Sequence, residues 1–164
     1  MYCKYCKWIV FAALAAVPLN DAAAGDAELD RTTMRGLKAV SVVIDRIDPQ
    51  LPKEGVAADA LQERIESRLK DAGIDIDAST PEFVGLQINA VRGSRGPYAL
   101  SVTIGLYQPV ILTRDRNIRT ATKTWDVETI LMAEPKMLRQ ASMESADELA
   151  ARFVAAWRSV NSGK

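Results

Sequence analysis

Residues 98–113 read YALSVTIGLYQPVILT. Apolar side chains fall at Tyr98, Leu100, Val102, Ile104, Leu106, Val110 and Leu112. Between them stand Ser101, Thr103, Gly105 and Tyr107. A period of two is that of a strand with one buried face and one wet face. The stretches on either side repeat it. FVGLQINAV (83–91) sets Val84, Leu86, Ile88 and Ala90 on one side, and IRTATKTWDVETILM (118–132) does the same with Ala121, Trp125, Val127 and Leu131. GSRGP (93–97) and RDRN (114–117) punctuate the three runs. The pattern predicts three antiparallel strands joined by two hairpins.

Register follows from the same pattern, because a slip of one residue would turn a whole apolar set outward. A loop over 93–97 pairs Leu86 with Ile104 and Ile88 with Val102. A turn over 114–117 pairs Leu106 with Trp125 and Ile104 with Val127. Pro109 then lies beyond the end of the first strand, an edge where a residue without an N–H is tolerated. Gln108 falls on the buried side. It is expected at the sheet margin, or rotated out by a bulge at Pro109.

Upstream, LKAVSVVIDRID (37–48) is rich in Val and Ile and predicts a strand buried on both sides. PQLPKEG ends it. Over 56–72, Ala58, Leu61, Ile65, Leu69 and Ala72 recur at helical spacing, and Gly73 suits a left-handed cap. GIDID reads as a short strand. Downstream, Ser145-x-x-Glu148 fits a capping box, followed by a stripe of Ala146, Leu149, Ala150, Phe153, Trp157 and Val160. Phe153 and Trp157 could line a cofactor box, but core packing accounts for them more simply.

The order is β-α-β-β-β-β-α. Two helices with one apolar stripe each, and strands with one apolar face, predict an α+β fold: a two-layer sandwich of a mostly antiparallel sheet with both helices on one face.

The start of the chain reads differently. Lys4 and Lys7 precede an apolar run, Trp8–Leu19, and then Ala22-x-Ala24. That is the anatomy of a secretory signal, predicted to be cut between Ala24 and Gly25. The run is too short to span a bilayer. Cys3-x-x-Cys6, the only cysteines, fall inside the segment expected to be removed, and the chain has no His to complete a zinc site. The mature chain is expected in the periplasm, soluble and not lipidated. Residues 25–36, GDAELDRTTMRG, lack a period and read as a loose leader to a single domain over 37–162.

Composition excludes several chemistries. The chain has 21 basic and 21 acidic residues. Losing Lys4, Lys7 and Asp21 leaves a net charge near −1, so there is no cationic excess for nucleic acid and no basic stripe for a stable membrane anchor. Without His or mature Cys there is no Ser-His-Asp triad, thiol nucleophile or imidazole metal site. Nucleotide-binding glycine motifs and an EF-hand loop are missing too. No cofactor and no metal are expected.

The element order, with the passage ERIESRLKDAGI (63–74), resembles the small exported α/β domains of bacterial envelope-assembly proteins: the N-terminal domain of the TolB translocation protein and the core of the CsgG curli secretion lipoprotein. The chain has neither the lipid-attachment Cys of CsgG nor the propeller of TolB, so anchoring and pore formation are not implied. It also resembles an exported bacterial family from which no function follows.

The register assigns a wet face: Thr120, Thr122, Thr124, Asp126 and Glu128; Ser101, Thr103, Gly105, Tyr107 and Ile111; Gly85, Gln87 and Asn89. Such a face is ordinary for a solvated sheet. Its sharper reading is a platform for a protein or envelope partner, centred on Tyr107, Asp126, Glu128, Thr124, Gln87 and Asn89, since Tyr gives contact area at low entropy cost. Alternatives are a small-ligand pocket near Gln108, or hydrolysis or Ca²⁺ binding by the Asp126–Glu128 pair. The expectation is a non-catalytic exported module.

Overall fold

The computed structural model describes residues 25–94 and 96–162. The signal segment expected over 1–24, with Cys3 and Cys6, lies outside them. Along the chain run α1 (Glu28–Thr32), β1 (Ala39–Ile47), α2 (Ala58–Asp71), β2 (Asp75–Ile76), β3 (Phe83–Arg92), β4 (Tyr98–Leu112), β5 (Asp115–Ala133) and α3 (Leu138–Asn161). Short 3₁₀ turns at Leu51–Glu54 and Pro135–Met137 precede α2 and α3.

The strands form one sheet in the order β2-β1-β3-β4-β5. β1 is parallel to both its neighbours, and the longer β3–β4 and β4–β5 pairings are antiparallel. The α+β sandwich is therefore as expected. So is the register: Leu86 faces Ile104, Ile88 faces Val102, Ile104 faces Val127 and Leu106 faces Trp125.

One layer of side chains makes the core. Val84, Leu86 and Ile88 of β3 and Leu100, Val102, Ile104 and Leu106 of β4 are fully buried. Against them lie Leu61, Ile65 and Leu69 of α2, spaced four apart on one helix face, and Leu149 and Phe153 of α3. Gly73 ends α2 at φ +89°, and the N–H of Ile74 returns to the Leu69 carbonyl at 3.1 Å. Trp125 meets Phe153 edge-on at 5.3 Å, so it packs on Phe153, one turn before Trp157. Trp157 points its indole N–H at the Leu37 carbonyl, 2.9 Å away. Both aromatics of α3 belong to packing.

Four expectations are corrected. β1 is not buried on both sides: Val40 and Val42 are buried, but Val43 is exposed, because the helices cover only one face of the sheet. Residues 25–36 are not a loose leader. They carry α1, Met34 is fully buried, and Asn161 holds Met34 and Gly36 through the Met34 carbonyl and the Gly36 N–H. α3 starts at Leu138, seven residues before Ser145, which is a buried mid-helix residue and no cap. The run LRQASME contains nothing that stops a helix, so it extends back to the 3₁₀ turn at Pro135. Finally, β5 carries a bulge where the register shifts between Leu106 and Tyr107, with Thr124 as the extra residue. Below it the parity of β5 reverses, so Ala121 turns to the open face where alternation would turn it inward, and residues 115–123 are exposed on both sides.

Candidate partner-binding face

The face opposite the helices is built of cross-strand rows. Ser41, Phe83, Tyr107 and Lys123 form the first, Val43, Gly85, Gly105 and Asp126 the second. Arg46, Gln87, Thr103 and Glu128 follow, then Asn89, Ser101 and Ile130, and last Val91, Ala99 and Met132. The face thus runs from aromatic, through polar, to apolar.

Glycine matters in the second row. A Cβ on Gly85 would stand 3.0 Å from the Tyr107 ring, and one on Gly105 would stand 2.8 Å from the Lys123 stem. The missing side chains let Tyr107 and Lys123 lie flat on the sheet. Tyr107 stacks on Phe83 at 4.7 Å and 4°. Lys123 Nζ reaches Asp126 Oδ2 at 2.8 Å.

The structure brings together five of the six residues singled out from the sequence. Tyr107 and Gln87 are half-buried in the face and Asn89 is exposed on it. The Gln87 amide donates to Asp45, and Ser101 Oγ donates to Glu128. Asp126 is held by Lys123, and its own N–H donates to the Gly25 carbonyl at 3.2 Å. With these partners the two carboxylates are engaged separately. Among the described residues, no group of three or more Asp, Glu, His or Cys side chains is arranged to hold a metal. Thr124 is the exception. The bulge turns it to the sheet margin, where its hydroxyl donates to Gln108 Oε1 at 2.7 Å. The reversed parity also replaces Thr122 and Thr120 on the open face by Lys123, Ala121 and Arg119.

Gln108 sits at the margin as expected, half-buried, with its amide on Glu82 at 2.6 Å. The bulge lies opposite Tyr107 and not at Pro109. Each end of the amide has one partner, Glu82 for its N–H and Thr124 for its oxygen. An open depression of about 560 Å³ lies between α1 and the end of α3, lined by Asp26, Arg31, Arg35 and Val160.

Sequence reasoning missed Phe83, Lys123 and the clasp at the sheet edge. The parity of Phe83 with Gly85 and Gln87 was a usable signal. Lys123 had none, because its position depends on the bulge. In the clasp, Asp26 accepts the Trp125 indole N–H at 2.8 Å and the Arg31 guanidinium at 2.7 and 2.8 Å. Burial works to raise the Asp26 pKa, but the hydrogen bonds from Arg31 and Trp125 outweigh it and hold the carboxyl below its ordinary value.

Among the described residues, no helix is long and apolar enough to cross a membrane. No family model and no curated protein matches the chain. Among solved structures, it is similar to a PelC dodecamer from Paraburkholderia phytofirmans, at 16% identity and a TM-score of 0.40 over 75% of this chain and 87% of that one. It is also similar to a minor lipoprotein from Acinetobacter baumannii, at 12% identity and a TM-score of 0.31 over 73% and 91%. Both likenesses are too distant to bear on function.

Proposed function

We propose that this is an exported, non-catalytic module that binds a protein or cell-envelope component through its open sheet face. The observation that carries the reading is the one-sided sheet: α2 and α3 cover one face, and the other presents an aromatic pair, anchored carboxylates and uncovered apolar residues. Contiguous exposed apolar surface with polar neighbours is typical of interaction sites. The signal-like leader and the resemblance in element order to envelope-assembly domains support the compartment.

Two measurements test it. Mass spectrometry of the native protein is expected to find a first residue at or near Gly25 in the periplasmic fraction; an intact Cys3 and Cys6 in the cytoplasm would overturn export. Tyr107→Ala forfeits a stack worth about 0.5–1.5 kcal/mol, and Asp126→Ala an exposed pair worth about 0–1 kcal/mol. Both variants should therefore stay folded while capturing less partner from envelope extract. Undiminished capture by both would show the face to be merely solvated.

A further inference from the structure

β4 and β5 outrun the rest of the sheet. β3 begins at Phe83, opposite Tyr107, so the strand residues from Gln108 to Leu112 and from Asp115 to Thr122 pair only with each other. Five residues of strand make an arm of about 16 Å. A two-stranded ribbon alone is marginal in water. This one also leaves Ile111 53% and Ile118 40% exposed. Its end carries Arg114, Arg116 and Arg119 against a single Asp115. The ion pairs among the described residues use Arg31, Arg64, Arg68, Lys70 and Lys123, and none of these three arginines.

The far end of the open face has the converse character. Val91, Ile130 and Met132 are 71%, 74% and 64% exposed, and the adjoining row carries Glu128, with Asp45 beside Gln87. Charge is thus unevenly placed: the arm tip carries three arginines against one aspartate, whereas the row beside the apolar patch carries Glu128 and Asp45 against one cation, Arg46. Complementary charge of this kind selects a partner and fixes its register.

We propose that the arm seats on the open face of a second copy of this chain, with Arg119 against Glu128 and Ile111 against Ile130 and Met132. The inference rests on the open face being a binding face. By the alternation of β4, Ile111 lies on the same side as Tyr107, and Arg119 stands opposite Ile111. Arm and apolar patch lie at opposite ends of that face. Two copies stacked face to face and antiparallel therefore place each arm on the other's patch, an arrangement that closes on itself with two-fold symmetry. A lipid surface fits less well. The arm leads with Thr113, Arg114, Asp115, Arg116 and Asn117, and its isoleucines sit behind them, whereas membrane insertion needs the apolar groups deepest.

The test is the mass of the purified chain in solution by light scattering, from low to high salt. The expected result is a mass above the 17.9 kDa of one chain that falls as salt rises. Arg119→Glu alone and Glu128→Arg alone should each give monomer. Mixing the two variants should restore association, because the reversed arm of one then meets the reversed face of the other, and the unchanged Arg119 meets the unchanged Glu128. That rescue also separates lost contact from lost folding. Monomer at every concentration, or a mass that neither reversal changes, overturns the proposal. So does binding to phosphatidylglycerol vesicles that Arg119→Glu abolishes in a monomeric protein. If the chain is monomeric yet Tyr107→Ala still weakens capture of an envelope partner, the second copy is wrong and the open-face reading stands.

Discussion

Trp125 concentrates several roles in one side chain. It is almost fully buried, meets Phe153 edge-on and donates to Asp26 across 99 positions of sequence. Trp125→Ala is expected to cost about 3–5 kcal/mol in a urea melt, a large share of a typical total of about 5–15 kcal/mol. Asp26 adds a dependence on pH. Its folded pKa is lowered, so its contribution is present above the ordinary carboxylate value of about 4 and is lost as pH falls through the folded value. Asp147 is also lowered: burial opposes the shift, and Arg68 and Arg64 outweigh it. Asp26→Asn keeps an acceptor for the indole but no titrating charge. Melts across the acid range should therefore show a shallower fall than the parent, with the Asp147 part of the slope remaining. An unchanged slope would exclude Asp26 from acid unfolding.

The elements separate what alternation can and cannot reveal. The β3–β4 hairpin and the upper β4–β5 register were legible because the inward positions, Thr129 apart, are apolar, so only one pairing buries Leu86, Ile104 and Trp125 together. The bulge at Thr124 was not. Threonines line both sides of it, so Thr120, Thr122 and Thr124 read equally well in either parity, and the assignment of half of β5 went with them. Only one of the six proposed site residues, Thr124, was displaced as a result. The start of α3 was misread for a similar reason: Ser145-x-x-Glu148 is a cap only if the helix begins there, and the buried environment of Ser145 is tertiary information. This yields a prediction. Loss of a true cap costs about 1 kcal/mol, whereas Ser145→Ala inside α3 should cost less or nothing. Ser142 goes further. Its Oγ is buried without a partner among the described residues. Ser142→Ala removes an unsatisfied hydroxyl, so thermal melts should show an equal or higher midpoint.

For the whole molecule, the sheet divides into a supported part and an unsupported one. Leu100 to Leu106 lie between helices and neighbouring strands, while the arm beyond Tyr107 has no layer over it. Hydrogen exchange on dilute protein should reflect this, with amides of the arm exchanging far faster than those of Val102 and Ile104. Equal protection in dilute solution would mean that something covers the arm. The clasp at the other margin has a consequence for the order in which the chain is made. Residues 25–37 are fastened by Trp125, Asp126, Trp157 and Asn161, all of which are synthesised 99 to 127 residues later. A chain emerging N-terminus first from a ribosome or a translocation channel has nothing to hold Met34 and Leu37 until α3 arrives. The arrival of α3 is thus registered at residues 34–37. A nascent product cut short before α3 would keep that apolar segment exposed, as a handle for chaperones and proteases that the folded domain withdraws.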